Sequence, residues 1–332
     1  MIKEIGIIGN DLRMNYLKKL YLEEGYDVIE DYKYSSNVIS PIPFTRDDEY
    51  ITGTNIKILD IVEHLKDTNV CIFSGSVPDE FCELFKENNI KCYDLLKFED
   101  IAILNDIPTA EGAIYTAMEK TNITICNSNC LILGNGKIGK ILSKMLNGIG
   151  AKVTVCARKD KDFAYIKSMG YEAVSFSNLS NYLNKFDYIF NTVPSLILTK
   201  DKLAIVKKEV CIIDLASVEG VDYNYAKNNN INLIKALALP TKIAPLSAAV
   251  YLKNKIDMLK WYNIISDNTK TFIEIDYEEY SDTEISEITY YYHFETRVVY
   301  AMVKTNNNTF EENGTFIMIV EKNGKPMIYN AK

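Results

Sequence analysis

The sequence predicts an α/β protein with two doubly wound parallel-sheet domains, the second a Rossmann NAD(P)-binding domain, followed by a small antiparallel β-rich domain. Three observations predict it. Residues Cys130 to Arg158 read as strand, glycine turn, helix and strand, with Gly134-Asn135-Gly136-Lys137-Ile138-Gly139 directly after the apolar run Leu131-Ile132-Leu133. Short apolar strands alternate with helical patterns on both sides of that unit, which is the signature of parallel sheets covered by helices. From about residue 266 the alternation stops and β-branched and aromatic residues dominate. The boundaries expected are 1–122 for an N-terminal substrate-side domain, 123–265 for the cofactor domain with a return helix, and 266–332 for the appended sheet.

Each glycine of the fingerprint has a distinct task. Gly134 permits the tight turn, Gly136 lets a pyrophosphate approach the backbone, and Gly139 lets helix and strand pack closely. Asn135, Lys137 and Ile138 complete the loop, whose free N–H groups and helix dipole favour an anion. The helix buries Ile138, Ile141, Leu142, Met145, Leu146 and Ile149 along one face, and Gly148 and Gly150 close it. Val153 to Ala157 form the next strand. NAD-binding units place an acidic residue there, about 20 residues past the glycines, to hold the ribose hydroxyls. Here the position is Arg158, with Lys159 beside it. Two cations suit a 2'-phosphate, so NADP is expected and NAD is the weaker choice.

With 332 residues, 47% hydrophobic and 25% charged, the chain has the composition of a soluble globular protein large enough for several cores. A net charge of -8 without any basic stripe argues against nucleic acid as a partner. No apolar run of membrane-spanning length occurs, and MIKEIGIIGN reads as a strand, so a cytoplasmic protein without a membrane partner is expected. Of the 7 cysteines, Cys71, Cys156 and Cys211 fall inside apolar strands as small core side chains. Cys126 and Cys130 lack the neighbouring His or second pair that a zinc site needs, and no metal is expected.

In chain order, strands are expected at 4–8, Asp27 to Glu30, Val70 to Phe73 and Lys91 to Tyr93. Helices are expected from Leu12, with Leu12, Tyr16, Leu20 and Leu22 as the apolar face, at Ile56 to Leu65 and at Asp79 to Glu87. Tyr32 to Thr54, with Pro41 and Pro43, reads as a loop-rich excursion. A helix opening at Ile107-Pro108 and running to Lys120 places Pro108 in its first turn and would bridge the domains. Strands at Glu172 to Ser175, Tyr188 to Phe190, Val210 to Asp214 and Asn232 to Ile234 continue the cofactor domain, and a helix from Leu246 to Ile265 ends it. In the tail, Thr269 to Tyr277, Glu284 to Thr305 and Gly314 to Tyr329 read as strands, with an Asn323-Gly324 hairpin turn and a solvated acidic face at Asp276, Glu278, Glu279, Asp282 and Glu284.

Three segments arrive at the C-terminal ends of the cofactor-domain strands, where ligands of such folds gather: Asn191 to Ser195, Asp214 to Ser217, and Ala236 to Pro245. Thr192 and Pro194 join the cofactor contacts. Histidine narrows the chemistry, because the chain has only His64 and His293, neither placed as the general acid of a hydroxy-acid dehydrogenase. A hydride transfer that needs no strong acid is therefore preferred, and no catalytic base is assigned.

IPTAEGAI, LGNGKIGK, VCAR, NTVPSLIL, IDLAS and LPTKIAP, in this order, resemble the family of dipicolinate synthase A subunits over about residues 1–255. The resemblance implies oxidation of a dihydrodipicolinate-type precursor to pyridine-2,6-dicarboxylate with NADP+ as hydride acceptor during endospore formation. It also implies the flavoprotein-like B subunit of dipicolinate synthase as partner, a small dicarboxylate as substrate and room for a homo-oligomer. A dianionic ring needs two cationic anchors, so Arg13 and Lys242 are expected on its carboxylates, with Asn191, Thr192 and Ser217 orienting ring and nicotinamide. The chain departs from the family pattern at Ala238-Leu239-Pro240-Thr241, where Gly-Leu-Pro-Gly is expected, at Leu246-Ser247 in place of Lys-Thr, and at Asn10 in place of Gly. The 266–332 sheet has no counterpart in the resemblance. An alternative reading is a catalytically degenerate relative that binds NADP(H) and serves as a binding or scaffold component.

Overall fold

The computed structural model describes residues 3–68, 70–267, 272–279, 285–293, 298–305 and 315–318, with the backbone course alone from 261 onward. The chain divides into two compact units, Met1–Lys255 and Ile256–Lys332.

The first unit opens with β1 (Lys3–Ile7), α1 (Leu12–Glu23), β2 (Tyr26–Ile29), β3 (Asn37–Ile39), α2 (Ile58–Leu65), β4 (Cys71–Ser74), α3 (Asp79–Glu87) and β5 (Lys91–Asp94). These strands form one parallel sheet in the order β2-β1-β3-β4-β5. The strand order reverses between β1 and β3, so their C-terminal ends flank a crevice suited to a ligand. β3 lies inside the stretch read as a loop-rich excursion. Three residues are too few to show a period, and only their place beside β1 makes them a central strand. The face of α1 also differs from expectation. Met14, Leu17 and Tyr21 are buried, whereas Leu12 and Leu22 are exposed; Asp11 marks the start of the helix by accepting from the Met14 N–H.

The bridging helix α4 runs Glu99–Glu119, starting well before the expected Ile107. Glu99 and Asp100 occupy its first turn, where carboxylates suit the dipole, and Pro108 sits inside it at the cost of one backbone hydrogen bond. Thr109 donates its hydroxyl to the Asn105 carbonyl at 3.0 Å in the same region.

The cofactor half comprises β6 (Asn129–Leu133), α5 (Lys137–Gly148), β7 (Lys152–Ala157), α6 (Asp160–Ser168), β8 (Glu172–Ser175), β9 (Tyr188–Asn191), α7 (Lys200–Leu203), β10 (Cys211–Asp214), α8 (Tyr223–Asn228), β11 (Asn232–Lys235), α9 (Leu239–Ile243) and α10 (Pro245–Asp267). Its parallel sheet has the order β11-β10-β9-β6-β7-β8, the Rossmann arrangement with its switch point between β6 and β9. Ala110, Ala113 and Ala117 of α4 share one buried cluster with Leu142 and Leu146 of α5 and with Ile132, Val155 and Phe190 of the sheet. Small side chains on α4 allow that close approach. Gly112 allows another, since a Cβ there would lie 2.9 Å from the Leu239 Cβ of α9. From α10, Lys253 reaches Glu24 at 2.6 Å and Lys255 reaches Asp100 at 3.2 Å, both lysines largely buried. The start of that helix is thereby fastened to the N-terminal half.

In the second unit β12 (Phe272–Glu279), β13 (Ile285–His293), β14 (Val298–Thr305) and β15 (Thr315–Met318) form a sheet in sequence order that is antiparallel as expected, with the segment Glu284 to Thr305 divided into two strands. Asn323-Gly324, Asp282, Glu284 and the side chains of Asp276, Glu278 and Glu279 lie outside the described residues. Among the described residues no helix is long and apolar enough to cross a membrane.

Candidate cofactor and substrate site

The fingerprint glycines are separated by what surrounds each one. Gly134 has φ +103°, and a Cβ on it would lie 2.7 Å from Thr192 Oγ1. A Cβ on Gly139 would lie 2.2 Å from the Gly134 carbonyl oxygen, a contact no backbone shift of a few tenths of an ångström relieves. Gly136 is the N-cap of α5, and a Cβ there would meet nothing within 4 Å. The first turn of α5 beside it carries no acidic side chain and no side-chain cap, so its N–H groups are left for an anion. A pyrophosphate therefore fits here by donor set and by space. Thr192 holds the next loop against the turn, its hydroxyl donating to the Leu133 carbonyl at 2.8 Å and its N–H to the same oxygen at 3.1 Å.

Farther along the sheet edge, Arg158 and Lys159 are both exposed, and the Arg158 guanidinium lies over the Phe176 ring at 5.2 Å. A carboxylate that the spacing rule does not count also arrives: Asp162 on α6 accepts from the Asn135 amide at 3.2 Å. This acid stands at the fingerprint loop, while the strand-end position itself is Arg158 followed by Lys159. The acid comes from the first turn of the following helix rather than from the strand end, so only the fold brings it to the fingerprint loop.

Asn191 and Asp214 end neighbouring strands in register and are fully buried. The Asn191 amide donates to Asp214 at 2.8 Å and to the Val193 carbonyl at 3.1 Å, and its oxygen accepts from the Val193 N–H at 3.2 Å. Asp214 further accepts from the Ala216 and Gly220 N–H groups, each at 3.3 Å, and from the Tyr223 hydroxyl at 2.9 Å. Burial and this carboxylate hold the Tyr223 phenol well above its ordinary range, so it stays a donor. Asn191 accordingly shapes the loops, and its amide is spent on them. The side chains those loops present are half-buried Thr192 and exposed Pro194 and Ser217.

On the other sheet, Arg13 stands where β1 turns into α1, at the switch point. It is 2% exposed, donates from Nη2 to the Ile42 carbonyl at 2.7 Å, and among the described residues keeps Nε buried without a hydrogen-bond partner. Burial lowers its pKa, while Asp11 opposes the shift. A buried cation with an unmet donor calls for an anion. Lys242 is exposed on α9, and α9 touches both α1 and α4, so the elements carrying the two expected anchors meet. Ala238, just before α9, has φ +57°, the left-handed backbone that glycine adopts without strain. The departure from Gly at this position therefore changes the residue while the turn persists, at a cost of about 1 kcal/mol.

Residues 116–239 match the family model "Shikimate / quinate 5-dehydrogenase". The A subunit of dipicolinate synthase from Bacillus subtilis is 30% identical over 283 residues, which covers 77% of this chain and 95% of that one. The chain belongs to the family of dipicolinate synthase A subunits. Crystal structures agree: the corresponding protein of Bacillus halodurans superposes with a TM-score of 0.69 at 28% identity, covering 79% of this chain and 97% of that one. The Bacillus subtilis structure gives 0.71 at 27%, covering 80% and 98%. The fold and the family model make this protein a dehydrogenase-type oxidoreductase with a nicotinamide cofactor.

Asp106, which no sequence pattern singles out, is half-buried on α4 with Lys137 of α5 nearby, and burial raises its carboxyl to about 6. On its own helix Glu99 reaches Lys137 at 3.7 Å. A raised carboxyl is protonated in the folded state while already ionised in the unfolded chain, so stability falls as pH rises from about 4 to about 6 and stays lower above. Asp106→Asn should then match wild type near pH 4 and, after discounting for partial exposure, gain about 1–2 kcal/mol at about pH 7.5. Urea unfolding at both pH values checks this, and an equal effect at the two would refute the titration.

Proposed function

We propose that this protein is an NADP-dependent oxidoreductase that oxidises a dihydrodipicolinate-type precursor to dipicolinate in the cytoplasm of a sporulating cell, with a flavoprotein-like B subunit as partner. The observation that carries the reading is an intact dinucleotide turn in the same compact unit as a buried arginine with an unmet donor. Oxidation of the dihydro ring removes a hydride and a proton, and aromatisation drives it. A strong acid is unnecessary, which agrees with His64 lying edge-on to Tyr32 on α2 and His293 belonging to β13.

Gly134, Asn135, Gly136, Lys137, Ile138 and Gly139 would hold the diphosphate, Arg158 and Lys159 the 2'-phosphate, and Thr192 and Pro194 the nicotinamide end. The cofactor supplies the hydride-accepting ring. Arg13 and Lys242 hold the two carboxylates, Thr192 and Ser217 orient the ring, and Asn191 keeps their loops in place. The division at 122/123 and 265/266 belongs to the same proposal, with the terminal sheet dispensable for cofactor binding.

Arg158→Ala should weaken NADP+ by about tenfold or more, the worth of a charge-assisted phosphate contact of about 1.5–3 kcal/mol, and leave NAD+ unchanged. Titration calorimetry with both cofactors decides it, and equal losses would remove the selectivity assignment. Arg13→Ala and Lys242→Ala should each cost dipicolinate about tenfold in affinity for the NADP+ complex, measured with the B subunit present, without altering NADP+. Binding that survives both substitutions places the carboxylates elsewhere. Wild type that binds no dipicolinate at all points to the degenerate binding protein instead.

A further inference from the structure

From the geometry of the β7 and β8 ends we infer that Phe176 is a specificity-determining residue that sets cofactor choice by positioning Arg158; the inference rests on the NADP reading above. Ala157 pairs with Ser175 across the parallel strands, so Arg158 and Phe176 are the next two residues at the same rim. The guanidinium carbon lies over the ring at 5.2 Å, within the range of a cation–π contact. Phe176 itself is half-buried and packs on the cluster of Leu131, Leu133, Leu179 and Leu183, so the platform is fixed to the core. Arg158, by contrast, is exposed and forms no ion pair among the described residues.

The ring limits where the guanidinium can lie. A planar guanidinium lying on an aromatic face directs its N–H donors outward in the plane of the group, at the strand end where a ribose phosphate binds in this fold. Without the ring, Arg158 is a flexible chain on the surface that must be ordered when phosphate binds, and that ordering weakens the contact. An NAD+ ribose has no phosphate to meet the fork, so the ring should matter to one cofactor only.

The test is calorimetry with NADP+ and NAD+ on full-length wild type, Phe176→Leu, Phe176→Tyr, Arg158→Ala and the double variant Phe176→Leu/Arg158→Ala, with thermal unfolding as a folding check. Phe176→Leu should weaken NADP+ by about two- to fivefold with NAD+ unchanged, Phe176→Tyr should match wild type, and the double variant should be no weaker than Arg158→Ala. Phe176→Leu with wild-type selectivity, while Arg158→Ala loses it, overturns the role of the ring and leaves the NADP reading standing. Arg158→Ala with unchanged selectivity overturns both. Equal losses for the two cofactors in both Phe176 variants would make the residue merely structural and overturn the inference.

Discussion

Asp214→Ala is expected to destabilise the protein by about 3–5 kcal/mol, because it strips a buried network of its only charged acceptor. Four donors converge on that carboxylate: the Asn191 amide, the Ala216 and Gly220 N–H groups and the Tyr223 hydroxyl. Asp214 and Asn191 are both 0% exposed, so water cannot replace the lost partner without opening the strand ends. Gly220 makes the arrangement tighter still, since a Cβ there would lie 2.0 Å from the Asn191 amide nitrogen. Asp214→Asn keeps the shape but turns one acceptor into a donor facing donors, and its loss should be smaller than that of alanine. Chemical unfolding of the three proteins measures this. A cost for Asp214→Ala below about 1 kcal/mol, the range of an ordinary surface change, would show that the carboxylate does not anchor these loops.

The second large effect separates two glycines of one turn by their roles. Gly136→Ala should leave thermal stability near wild type, since its φ of -76° is open to any residue and its Cβ would meet nothing within 4 Å among the described residues. It should nevertheless lower NADP+ affinity by about tenfold or more, because the methyl occupies the side from which a pyrophosphate reaches the helix N–H groups. Gly139→Ala should lose both properties. Its Cβ would lie 2.2 Å from the Gly134 oxygen, so turn and helix must move apart, an overpacking that costs about 1–3 kcal/mol and misaligns the donors. Melting curves and calorimetry on the two variants make the comparison. Loss of stability in Gly136→Ala, or full cofactor binding in Gly139→Ala, would contradict the division of labour.

The cofactor half is legible in the chain alone. A buried strand has an apolar run, an amphipathic helix has a period, and a dinucleotide turn needs glycine at fixed intervals, so β6, α5 and β7 follow from local rules. Strand β8, helix α3 and the antiparallel character of β12 to β15 follow from the same patterns. Other features depend on contacts that no local rule contains. β3 is a strand because β1 and β4 lie on either side of it, and α4 runs from Glu99 through an internal proline where the sequence pattern starts it at Ile107. Asp162 reaches Asn135, Asp106 lies near Lys137, and Asn191 spends its amide on Asp214 through contacts between residues far apart in sequence. Local propensity fixes which segments are helix or strand, whereas burial and hydrogen-bond satisfaction depend on which segments become neighbours. That is why the phosphate-binding turn can be read from the chain, while the exposure of Ser217 and Lys242 and the burial of Arg13 and Asn191 can be read only from the fold.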